Sequence, residues 1–162
     1  GLAVDGSASN DASDMIRELQ TCTLVHRVGT GVESMPARRA LWIATRGGAR
    51  VLGRDDVGML APDMAADIVL FSLDDIGLAG AMHDPLAALA FTTGIRRARW
   101  VMVNGQVVVD EGRLVHLDEK ELLVQANRAS GAMVARATAR TGLDFLSPTR
   151  SGADGKRAEG ST

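Results

Sequence analysis

Several features that would define a protein class are scarce in this chain. It carries a single cysteine, Cys22, among 162 residues. A lone cysteine excludes a disulfide within the chain and is at home in a reducing cytosol. Cys22 itself reads as a small apolar residue on a helix face rather than a nucleophile. No apolar run approaches the roughly 20 residues that a membrane-spanning helix requires. The first residues show no basic segment leading an apolar stretch, the pattern of a secretory leader, and polar residues appear by Asp5. Charge of one sign is also scarce. The formal net charge is −2, and the pairs Arg38-Arg39 and Arg96-Arg97 are too short to form a basic patch. Nucleic acid and anionic membranes are therefore not expected as partners, and the expected location is the cytoplasm.

The remaining composition fits a globular protein, with 46% apolar and 23% charged residues. The length suffices for one ordinary domain with a real core, and no internal repeat is evident. The chain begins without a methionine, inside what reads as the end of a buried strand. The expectation from that start is a piece of something longer.

Residues 1–5 read as the strand end and 6–11 as the loop after it. Asp11 or Ser13 is placed to cap a helix running to about His26 through Met15, Ile16, Leu19, Cys22 and Leu24. Gly29-Thr30-Gly31 breaks it; that Gly-x-Gly lacks the strand and spacing of a phosphate loop. A second helix starts at Met35-Pro36-Ala37, with Pro36 suited to a first helical position. Its apolar stripe is Ala40, Leu41, Ile43, Ala44, Val51 and Leu52, interrupted by Gly47-Gly48 and ended by Gly53. Beyond Gly53 the texture turns to β. Residues 66–71 read as a buried strand, 77–95 as a loop with a short helix Pro85 to Phe91, and 100–103 and 106–109 as strands. Asn104-Gly105 between those two strands is a hairpin signal, since both residues tolerate positive φ. A third strand spans 113–117. Asp118 and Glu121 form a capping box for a last helix ending near Thr141-Gly142. Its apolar positions include Leu122, Leu123, Met133 and Val134. From Ser147 the tail is polar and expected to be disordered. The methionines read as core filler.

Asp5 is the residue with chemical promise. Barrel strands of α/β proteins place catalytic and metal-binding carboxylates at their C-terminal ends. An isolated strand-end aspartate, however, commonly does no more than cap its own turn. The longer string Val4-Asp5-Gly6-Ser7-Ala8-Ser9-Asn10-Asp11, followed by a helix, resembles the end of strand eight in the amidohydrolase superfamily. It looks most like the branch of 8-oxoguanine deaminase and the hydroxyatrazine ethylaminohydrolases. The likeness continues through Ala37 to Gly53, through Gly58-Met59-Leu60-Ala61-Pro62-Asp63-Met64-Ala65-Ala66-Asp67-Ile68-Val69, and through His83-Asp84-Pro85 and Val101 to Gly105. It covers about residues 1–140. One departure is Asp63, where the family usually has glycine; that turn is expected to hold Asp63 in the left-handed region, which aspartate tolerates better than most residues.

The resemblance implies an α/β fold, the C-terminal fragment of a (β/α)8 TIM-like barrel plus part of a small β-sandwich. Residues 1–53 would carry the end of strand eight and its helices, 54–117 the sandwich portion, 118–142 the C-terminal helix, and 143–162 a disordered tail. It implies hydrolytic deamination of an amino-substituted purine, pyrimidine or triazine ring. In the family the strand-eight aspartate binds the metal and exchanges a proton with metal-bound water, which assigns both tasks to Asp5. The metal implied is zinc, with iron the alternative. Ser7 and Ser9 would serve as turn and cap groups and could line the pocket. His83, in an irregular segment beside Asp84, is the histidine left open as a substrate contact; a plain turn residue before Pro85 is the blander reading. His26 and His116 read as structural or exposed. The family's other metal ligands, a His-x-His pair and further histidines, precede strand eight. His26, His83 and His116 follow it, without ligand spacing. One carboxylate holds a metal weakly, since catalytic zinc takes three protein ligands, so residues 1–162 alone are expected to be inactive. Two alternatives stand: a noncatalytic interaction module derived from an amidohydrolase, and a chlorotriazine or amide hydrolase of the same superfamily. A small heterocycle is the expected partner, and a homo-oligomer stays open.

Overall fold

The computed structural model describes residues 1–10, 13–92 and 97–145. These fall into two compact units, Gly1–Leu117 and the segment from Asp118 onward. Together they are a mixed α/β structure with one small antiparallel sheet. No helix among the described residues is long and apolar enough to cross a membrane.

Helix α1 spans Met15–Thr30. Its cap is Asp14 rather than Ser13, and Asp11 lies outside the described residues. Asp14 is extended (φ −110°, ψ 102°) and its carboxylate accepts from the amides of Ile16 and Arg17, satisfying two of the helix's orphan donors. Ser13, at φ 45°, lacks the extended backbone of a cap. The helix runs past His26 because Gly29 is accepted within it, and Gly31, at φ 95°, closes it.

Pro36 is the extended residue before α2 (Ala37–Trp42), and the helical path continues through α3 (Gly48–Val51). Between them, Ile43–Gly47 forms a π-turn. The wider turn inserts one residue and shifts the side-chain phase by about 100°. That shift explains why the expected stripe divides. Ala40 is fully buried, Leu41, Ile43 and Ala44 pack against the core, and Val51 and Leu52 stay about three-quarters exposed. Gly58 (φ 88°) lies tight against this run: a β-carbon there would stand 3.0 Å from both Ala49 Cβ and the Thr45 carbonyl oxygen.

The core joins Leu19, Met35, Ala37, Ala40 and Ala90, with Leu2, Cys22 and Phe91 packed around it. Cys22 is thus a packing residue. Of the methionines, Met35 is core, whereas Met15, Met59, Met82 and Met133 are exposed. Ala90 belongs to α4 (Pro85–Phe91), capped by Asp84 through the Ala87 amide. The helix packs on α1 and α2, and Gln20 Nε2 donates to the Phe91 carbonyl at 3.0 Å. The Arg27 guanidinium lies 4.2 Å from the Phe91 ring centroid, within cation–π range.

The sheet runs in the order β1 (Ile68–Leu70), β2 (Trp100–Val103), β3 (Gln106–Asp110), β4 (Arg113–Leu114), each neighbour antiparallel. Asn104 (φ 48°) and Gly105 (φ 80°) make the expected hairpin turn. The Asn104 amide donates to Asp67 Oδ1 at 2.7 Å, tying the hairpin to β1. β1 is not the buried strand expected. Among the described residues it is a sheet edge, and Val69 and Leu70 are about half exposed; burial on both faces requires a covering layer on each. The expected strand at 113–117 shortens to two residues, and His116 lies beyond it, exposed. Residues 1–5 pair with no described strand.

In the second unit, α5 (Glu119–Thr141) is capped by Asp118, which accepts from the Lys120 and Glu121 amides. The Glu121 carboxylate accepts from Gln125 Nε2. Gly142 (φ 70°) ends the helix. Most of the expected tail, residues 146–162, lies outside the described residues, as does Arg96.

Candidate functional site

The candidate site is the turn that follows the first five residues. Leu2 anchors that segment on the core, so the chain leaves the core at Val4 and exposes Asp5 at the surface. Asp5 takes a left-handed backbone, φ 62°, which an aspartate tolerates because its short side chain can bond locally. Here it does so at both oxygens. The Gly6 amide donates to Oδ1 at 2.8 Å. The Ser9 hydroxyl stands 2.8 Å from Oδ2 and 3.1 Å from the Gly6 carbonyl oxygen. With one proton to give, the hydroxyl favours the charged carboxylate, the shorter and stronger acceptor.

Backbone bonds complete the turn, from the Ser9 and Asn10 amides to the Gly6 carbonyl, both at 3.0 Å. Asn10 then ties the turn to α1, its Nδ2 donating to Glu18 Oε1 at 2.7 Å. Neither Asn10 nor Glu18 stands out in the sequence as a site residue. The available signal was an acid in the first turn of a helix, usually read as a dipole partner.

These donors shape the charge of Asp5. Ser9 foremost, and the Gly6 amide next, hold its carboxyl below the usual carboxylate range, because both bonds favour the ionised form. An ionised carboxylate oxygen has more than one acceptor site. Each oxygen can therefore keep its internal bond and still receive a cation or a proton from outside. Asp5 fits one position in the coordination sphere of a divalent metal. Among the described residues, no group of three or more His, Cys, Asp or Glu gathers that could hold such an ion, so Asp5 fits as a ligand without completing a site.

The other expected residues divide. Ser9 meets Asp5 directly. Ser7 is exposed on the same turn. His83 sits elsewhere, exposed at the end of a single 3-10 turn, Ala81–His83. It borders an open hollow of about 310 Å³ lined by Ala87, Ala88, Phe91, Asp84 and Thr92, among others, and by none of Asp5, Ser7 or Ser9. His26 points its Nδ1 at the Cys22 carbonyl, 2.9 Å away.

The amidohydrolase family pattern matches residues 1–108, a span that contains the Asp5 turn. The chain is 45% identical over 135 residues to 8-oxoguanine deaminase of Pseudomonas aeruginosa, covering 83% of this chain and 30% of that protein. It is 36% identical over 137 residues to a 5-methylthioadenosine/S-adenosylhomocysteine deaminase of Pelotomaculum thermopropionicum, covering 84% and 31%. Among solved structures, the zinc-complexed atrazine chlorohydrolase of Arthrobacter aurescens superposes with a TM-score of 0.71 at 39% identity, over 76% of this chain and 28% of that one. The chain belongs to the amidohydrolase family. It spans about 30% of the length of the curated relatives it matches.

Proposed function

We propose that this chain is the C-terminal share of a metal-dependent hydrolase that deaminates an amino-substituted purine, pyrimidine or triazine ring, in the manner of an 8-oxoguanine deaminase. The reading rests above all on Asp5, an ionised carboxylate presented on a turn within the family match. In this reading residues 1–5 are the end of a barrel strand and β1–β4 part of a β-sandwich.

The reaction adds water to a ring carbon and releases ammonia, leaving a ring carbonyl. A bound divalent metal, zinc by likeness to the zinc-complexed neighbour, supplies the Lewis acidity that makes water nucleophilic near neutral pH. Asp5 contributes one ligand oxygen and accepts a proton on its carboxylate, to pass it to the departing nitrogen. Ser7 and His83 are candidates for substrate contact. The lone Cys22 fits a reducing cytoplasm. Because Asp5 stands without companion ligands among the described residues, residues 1–162 alone are inactive.

The atrazine chlorohydrolase likeness, 39% identical, favours a second reading in which chloride rather than ammonia leaves a triazine. One experiment separates the two. The full-length protein bearing this chain is assayed for ammonia and for chloride release on 8-oxoguanine, adenosine-type purines and chlorotriazines. Ammonia release that Asp5→Asn abolishes supports the deaminase. Chloride release alone supports the second reading, and an unimpaired Asp5→Asn protein overturns both.

A further inference from the structure

We infer that Ser9 is a positioning residue for the metal-binding carboxylate, an inference that rests on Asp5 being a metal ligand. A carboxylate on an exposed turn has two soft torsions, and left free it would sample several rotamers. Here Oδ1 is held by the Gly6 amide at 2.8 Å and Oδ2 by the Ser9 hydroxyl at 2.8 Å. Two donors on two different oxygens leave the carboxylate plane one orientation. The Gly6 amide is backbone and adjacent to Asp5, so it restrains only the near oxygen. Ser9 reaches across four residues and settles the second.

The backbone around Ser9 is itself held. Its amide and that of Asn10 both close on the Gly6 carbonyl, and Asn10 Nδ2 is fastened to Glu18 Oε1 at 2.7 Å on α1. The chain of support therefore runs from helix to Asn10, to the turn, to the Ser9 hydroxyl, to Asp5 Oδ2. Partners of this kind orient metal ligands, and their removal typically weakens metal binding by roughly 10- to 100-fold. The hydroxyl is the part that matters: threonine retains it, alanine does not.

The test measures zinc affinity of the full-length protein by competition with a coloured chelator, alongside turnover. Four proteins are compared: wild type, Ser9→Ala, Ser9→Thr and Asp5→Asn. The metal-free melting temperature of each is taken as a folding control. Ser9→Ala should bind zinc roughly 10- to 100-fold more weakly while still melting cooperatively without metal, and Ser9→Thr should restore the affinity. Wild-type zinc affinity in Ser9→Ala, with zinc lost in Asp5→Asn, overturns the positioning role and leaves the assignment of Asp5 standing. Weakened binding that Ser9→Thr fails to rescue also overturns it. Undiminished zinc in Asp5→Asn removes the assignment of Asp5 and the inference with it.

Discussion

At the scale of single residues, the Asp5 turn makes a prediction that needs no metal. Its carboxyl is held below the usual range by donors that exist only in the folded turn. A group lowered on folding adds stability above its unfolded pKa and loses it as pH falls through the folded value. In the metal-free chain, the Asp5 carboxyl carbon should titrate by NMR below an unstructured aspartate. Ser9→Ala should move the midpoint upward, since Ser9 is the larger influence; an unmoved midpoint would show that the Gly6 amide suffices. Asp63 offers a second case. It takes φ 65°, the left-handed conformation expected from its standing where the family has glycine. Asp63→Val should cost about 1–2 kcal/mol in urea unfolding, while Asp63→Gly should cost little or stabilise. Equal effects of the two would remove the backbone argument. The Asp63 conformation was legible beforehand because it stands where the family has glycine and a short polar side chain tolerates that backbone; the left-handed backbone of Asp5 was not. Nor was the Ser9–Asp5 bond, since a serine four residues away can turn in many directions.

At the scale of elements, the helical run from Ala37 to Val51 shows where periodicity stops being a guide. Its apolar spacing is read correctly as helix, yet the π-turn at Ile43–Gly47 rotates the later residues off the core. Gly58 marks what the turn accommodates. Gly58→Ala would press a methyl against Ala49 and the Thr45 carbonyl at a positive φ, a loss of about 1–3 kcal/mol. Leu19→Ala, at a position only 2% exposed, should cost about 2–5 kcal/mol. Thermal melts of residues 1–162 check both, and a Leu19→Ala change below about 1 kcal/mol would mean the core collapses around the gap. The Asn104-Gly105 hairpin was readable because a turn dipeptide is a local signal, and the expected Pro85–Phe91 helix forms with Asp84 as its cap.

At the scale of the whole molecule, the described residues build a core, a sheet and one well-formed carboxylate turn, but no cluster of metal ligands. Residues 1–162 supplied with zinc should therefore show no deamination of 8-oxoguanine in an ammonia assay, and no zinc retained through desalting. Measurable turnover by this chain alone would contradict the reading that its ligands come from elsewhere. The exposed strand β1 belongs to the same scale. Its Val and Ile content was read as burial, but burial depends on what lies over the sheet.

Local chemistry was enough to read the helix and hairpin positions, because caps and turns act over a few residues, while the left-handed Asp63 and the role proposed for Asp5 came from the resemblance to the family. Tertiary structure alone set the exposure of β1 and the place of His83 on a separate hollow, and the folded turn set the Ser9 lock on Asp5. Each depends on which groups the folded chain brings within bonding distance. Spacing along the sequence does not encode that distance once a π-turn, a sheet edge or a tight turn intervenes.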